Sequence, residues 1–168
     1  MVPVLLLALL SGAPASRAPR EQAEEPVCVV AHLPDGVDPT SVNAEIVRRL
    51  FLVRQRFWPD GAQAHPVNLP ASSPVRERFS RAAFGQGVKD MAPYWNDRYF
   101  HGTRPPPTVA SEAAVILFLE RTPGGVGYVQ APRADSLPSS VTRLFCLAGD
   151  TPSTPAIPRP EAPLREAR

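Results

Sequence analysis

Apolar positions along this chain fall into two kinds of run, and the kind of run predicts the element. Val27-Cys28-Val29-Val30-Ala31 is apolar throughout, which predicts a strand covered on both faces. Next, Val42, Ile46, Val47, Leu50 and Phe51 recur at helical spacing while Arg48 and Arg49 fall outside the stripe, so a helix is expected there. Asp38 is its expected N-cap, with Pro39 at the first position. Phe57-Trp58-Pro59-Asp60-Gly61 closes that unit with an aromatic pair, expected in the core, and a turn signal.

The stretch from His65 to Phe84 reads as a short strand at Pro66-Val67-Asn68, a polar turn from Leu69 to Ser73, and a helix opening at Pro74. Ser73 is the N-cap able to accept from the Arg76 amide. Val75, Phe79, Ala82 and Ala83 share a face, and Gly85 ends the helix. A strand, a polar turn and a helix N-terminus also make a place where anions bind in α/β proteins.

Beyond Gly87, Asp90 is the expected cap of a helix with Pro93 in its first turn and Met91, Trp95 and Tyr99 on one face. Ser111 caps a further helix, Glu112 to Arg121, whose run Ala113–Leu119 is apolar nearly all round and so is expected to be deeply buried. Thr122-Pro123-Gly124-Gly125 stops it. Strands follow at Val126–Val129, where Gly127 marks a close approach, and at Val141–Leu147. Strands separated by helices imply an α/β fold with a largely parallel sheet flanked by helices.

The ends read differently. Val4–Leu10 is a compact apolar run, too short to span a bilayer, and Ala13-Pro14-Ala15 is a small-x-small cleavage site. Residues 1–15 are therefore read as a secretory signal peptide and 16–26 as a polar linker. Residues 27–148 form the folded unit. Residues 149–168, with prolines at 152, 155, 158, 160 and 163, lack periodicity and are expected to be a disordered Pro-rich tail. Export places the mature chain in the periplasm or outside the cell.

Composition narrows the function. Net charge is +2 and Lys occurs once, at Lys89, so the basic surface that a nucleic acid needs is missing. The three histidines (His32, His65, His101) are scattered without ligand spacing, which argues against a metal centre, and no cofactor is implied. No Ser-His-Asp or Cys-His arrangement and no paired carboxylates occur in one motif, so an enzyme is not expected. Cys28 and Cys146 lie in the first and last apolar runs. Export allows a disulfide between them, while two buried free thiols are the reading preferred from residue type.

Four stretches in order resemble the phosphate-type substrate-binding proteins of ABC transporters, the type 2 periplasmic-binding fold. The helix end Ile46-Val47-Arg48-Arg49-Leu50-Phe51-Leu52 is similar to that family's I-F-x-G-K, and Phe57-Trp58-Pro59-Asp60-Gly61 to its Trp-x-Asp-Gly. The helix end and Phe57–Gly61 together make the first stretch; Pro66-Val67-Asn68 through Phe79 stands where the family has a strand, Arg or Asn, Gly-Ser-Gly-Thr and a helix with Phe, and Tyr94-Trp95 with Phe100-His101-Gly102 matches a helix and loop. Thr122-Pro123-Gly124-Gly125-Val126-Gly127-Tyr128-Val129 resembles its P-G-x-I-G-Y-V, the most specific piece.

The resemblance implies a single lobe of that fold and a ligand site at Asn68, Ser72, Ser73 and Arg76. Asn68 stands for the family's Arg, Ser72 for its Ser, Ser73 for its Gly and Pro74 for its Thr. Arg76 offers a replacement charge one turn into the helix. The implied function is an exported binder of inorganic phosphate or a similar oxyanion, weak because only one lobe is present, working with an envelope transporter or sensor. The alternative is a non-catalytic interaction or sensory module that keeps the fold and has lost the ligand.

Overall fold

The computed structural model describes residues 25–147; the signal peptide, most of the linker and the tail expected from sequence lie outside them. The elements are β1 (Val27–Ala31), α1 (Ala44–Phe51), β2 (His65–Pro66), α2 (Pro74–Phe84), α3 (Ala92–Phe100), α4 (Glu112–Glu120), β3 (Gly125–Gln130), α5 (Ala131–Ala134) and β4 (Thr142–Leu147). The four strands form one sheet in the order β2-β3-β1-β4. Every residue of β1 is buried, as its unbroken apolar run requires of an inner strand.

Strand direction departs from the sequence expectation. β1 is antiparallel to both β3 and β4, and only β2 runs parallel to its neighbour β3. The α/β class stands, but the sheet is mostly antiparallel. An intervening helix rules out a hairpin between consecutive strands, yet here the consecutive strands β1 and β2 are not neighbours. Their helical crossover therefore fixes no pairing direction.

Successive residues of β3 point to opposite faces. On one face a Cβ at Gly127 would lie 2.5 Å from Val115 Cγ1, so α4 sits directly on the glycine. On the other face the Tyr128 ring stacks on Phe79 of α2, centroids 3.9 Å apart and planes 6° from parallel. Phe51 of α1 packs against both rings. The sheet thus has α4 on one side and α1 with α2 on the other.

Local signals set most boundaries. The Ser73 hydroxyl accepts from the Arg76 amide and Gly85 closes α2 in the left-handed region at φ 69°. Asp38 caps only a 3-10 turn, Pro39–Ser41, and Asn43 caps α1 instead. Asp90 accepts from the Gly87 amide rather than capping α3. Trp58 is buried and its indole donates to Gly124 O at 2.9 Å, whereas Phe57 is exposed. The deep burial expected of Ala113–Leu119 holds only for Val115 and Leu119, because a single face of α4 meets the sheet.

Cys28 and Cys146 are directly opposite each other across β1 and β4 and form a disulfide. This replaces the preferred reading of two buried free thiols. Cys28 is buried but Cys146 is exposed, because β4 lies at the edge of the sheet.

Candidate functional site

The site expected from sequence begins where the chain leaves β2. Asn68 extends the strand line: its amide donates to Pro107 O, its carbonyl accepts from Val109 N, and it bridges to Thr108. Its side chain is buried. The Tyr128 hydroxyl accepts from the Leu69 amide at 3.2 Å and donates to Asn68 Oδ1 at 3.1 Å. That assigns the Asn68 oxygen to Tyr128 and turns its Nδ2 group the other way. Burial pushes the Tyr128 phenol up to about 12, against the smaller opposing effects of the Leu69 backbone and the Arg76 charge.

Arg76 lies one turn into α2. Its guanidinium Nη1 donates to Leu69 O at 2.6 Å. The Leu69 peptide is therefore held at both ends, its N–H by Tyr128 and its carbonyl by Arg76. Among the described residues, no acceptor meets the remaining guanidinium N–H groups of Arg76 or the Nδ2 group of Asn68.

Both side chains line one cavity of about 40 Å³, larger than a single water needs. Its other walls are Ser80 and the apolar side chains of Phe51, Phe79, Phe84, Val88, Met91 and Trp95. The Ser80 hydroxyl is spent on Gln86 O at 2.8 Å. Among the described residues no carboxylate lines the cavity, and Arg76 is the one cation that does. Nearby, Glu77 holds the loop that supplies Val88: its Oε2 accepts from the Val88 amide at 2.9 Å and its Oε1 from Arg81 Nε at 2.8 Å. The Val88 hydrogen bond, then Arg81, lowers the Glu77 carboxyl below its ordinary value.

The structure brings Asn68 and Arg76 to this cavity and leaves the serine pair out of it. Ser73 Oγ is taken up in capping the Arg76 amide at 3.4 Å, and Ser72 sits exposed in the turn before it. Sequence reasoning missed Tyr128 and Trp95 as parts of the site. Tyr128 carried a signal, since a phenol inside an apolar strand needs a hydrogen-bond partner.

No protein-family model and no curated protein matches this chain. Its structure is similar to that of an ABC-type phosphate transport receptor from Vibrio cholerae, with TM-score 0.51 at 16% identity over 71% of this chain and 45% of the receptor. It is also similar to PstS from Borrelia burgdorferi, with TM-score 0.53 at 14% identity over 72% of this chain and 47% of that one. The chain has the periplasmic-binding fold of these receptors. It spans less than half the length of either, as one lobe of the fold would. Among the described residues no helix is long and apolar enough to cross a membrane.

Proposed function

We propose that this chain is an exported, non-catalytic oxyanion-binding protein with its site at the Asn68–Arg76 cavity. The observation that carries the reading is that Asn68 and Arg76, each with N–H groups not used in the hydrogen bonds above, line one cavity in which, among the described residues, no carboxylate takes part. Arg76 supplies the charge and Asn68 Nδ2 orients an oxygen, while Ser72 and Ser73 lie outside the cavity lining. The likeness to phosphate transport receptors makes inorganic phosphate the first ligand to try, and an envelope transporter or sensor the class of protein partner. A site with one lobe leaves its anion in contact with water, so affinity is expected in the millimolar range, far below that of an enclosed site.

The test is the melting temperature of the mature protein against phosphate, run beside Arg76→Gln. Phosphate also stabilises proteins by exclusion from their surface, an effect that both proteins share, whereas site binding raises only the parent. Equal shifts in the two would sink the reading.

A second reading, an interaction module, is favoured by α3. None of its residues is buried, and Tyr99 and Phe100 stand 61% and 85% exposed at its end, packed edge-to-face with each other. Large aromatic side chains left in water are the residues that protein interfaces use. Absence of an anion effect, together with loss of a partner on Phe100→Ser, would support it.

A further inference from the structure

We infer that the ligand of this cavity is a short-chain carboxylate with an apolar tail, rather than a compact inorganic anion. The inference rests on the oxyanion-site reading above and names the class of ligand. The cavity lining is chemically mixed. Arg76 and Asn68 supply a guanidinium and an amide, and Phe84, Met91 and Trp95 are among the aromatic and aliphatic residues that make up most of the rest. A carboxylate has one charge and two oxygens, which one guanidinium and one amide N–H can satisfy. Phosphate near neutral pH carries more than one charge and four oxygens. Placed here it would meet one cation, and its remaining oxygens would face aromatic carbon, a costly arrangement for buried charge.

The apolar walls would instead cover a methyl or methylene tail. Among the described residues Ser80 is the only hydroxyl in the lining and is already donating to Gln86 O, which leaves the Trp95 indole N–H as the one further side-chain donor there, too few for the oxygens of a polyanion. Arg76, Val88 and Trp95 are each partly exposed, which gives the cavity its opening. Its volume of about 40 Å³ limits the ligand to small acids such as acetate, propionate and butyrate.

The experiment is ligand-observed saturation-transfer NMR on the full chain with these three acids, with phosphate as competitor and directly by the melting comparison above. Binding is expected to tighten about fourfold per added methylene until the cavity is full. Trp95→Ala removes the wall and should flatten that chain-length dependence while acetate still binds. Arg76→Gln should abolish binding of every acid. Because Arg76 also holds Leu69 O, Arg76→Lys serves as the rescue variant that keeps a charge and a donor there.

If phosphate binds and the acids do not, or if the acids bind with no dependence on chain length, the carboxylate inference falls and the oxyanion site stands. If neither acids nor phosphate bind the folded parent, both fall.

Discussion

The Tyr128 hydroxyl donates to Asn68 Oδ1 at 3.1 Å while accepting from the Leu69 amide at 3.2 Å. One buried phenol thus orients the Asn68 amide and satisfies a buried backbone N–H. Tyr128→Phe keeps the stack on Phe79 and removes both bonds, leaving Leu69 N–H and the Asn68 oxygen unpaired. The expected cost is about 1–3 kcal/mol in denaturant unfolding. The parent's alkaline limit should change as well. The folded phenol is raised to about 12 from an ordinary 10.0, so its contribution is whole below pH 10 and is lost as pH rises through 12. The loss is about 2–3 kcal/mol. Tyr128→Phe should remove this step, and phenolate absorbance of the parent against the variant isolates it. A parent and variant with the same alkaline unfolding curve would contradict the assignment.

The disulfide joins the central strand to an edge strand across 118 residues of sequence. Closing so long a loop restricts the unfolded chain strongly, and its removal is expected to cost about 2–5 kcal/mol. The double variant Cys28→Ser with Cys146→Ser, or reduction of the parent, should lower the unfolding midpoint by that much. Because Cys146 is exposed on the edge strand, reduction should proceed without global unfolding. A reduced protein as stable as the oxidised one would contradict this.

How much of this was legible before the structure depends on whether the signal was local. The α2 boundaries follow from Ser73, Pro74 and Gly85, each acting within one turn of chain. The close approach at Gly127 was readable because a glycine in an apolar strand has few other reasons to be there. Strand direction was not readable, because β1 pairs with β3 and β4, which lie far along the chain. The cysteine pairing depends on that same register. Asp38 and Asn43 are both good caps, and which one opens α1 depends on where Val47 and Leu50 meet the core. At the site, Asn68 and Arg76 were placed together by sequence, but the serines were not separable from ordinary capping: Ser73 spends its oxygen on the Arg76 amide. Tyr128 was missed as a site residue because its partners are 59 and 60 residues away.

Glu77 joins α2 to the loop that carries Val88, one wall of the cavity. Glu77→Ala frees the Val88 amide and should cost about 1 kcal/mol, with faster hydrogen exchange at Val88 than at the α2 interior. The pH dependence has a definite sign. The folded carboxyl lies below its ordinary value, so its contribution is present above the unfolded pKa and is lost as pH falls through the folded one. The parent should therefore lose stability in acid more steeply than the variant. Identical acid profiles would show that the Val88 bond carries no stability.

Val53 follows the end of α1 with φ of 53°, a left-handed conformation that a β-branched side chain rarely adopts. Contacts hold it there: its amide donates to Leu50 O, Arg98 Nη2 donates to its carbonyl at 3.2 Å, and Tyr94 Oη donates to the neighbouring Leu52 O at 2.8 Å. The two bonds from Arg98 and Tyr94 onto adjacent residues fix how α3 sits against the end of α1, and the backbone conforms to them. Glycine takes this conformation without the clash at Cβ, relieving about 1–2 kcal/mol, while its added freedom in the unfolded chain costs about 0.5–1 kcal/mol. Val53→Gly is expected to stabilise the protein by up to about 1 kcal/mol, and Val53→Ala, which keeps a Cβ, to give no such gain. Denaturant unfolding of the two variants separates them. A loss of stability in Val53→Gly larger than in Val53→Ala would mean that the valine side chain is worth more in packing than its backbone is strained.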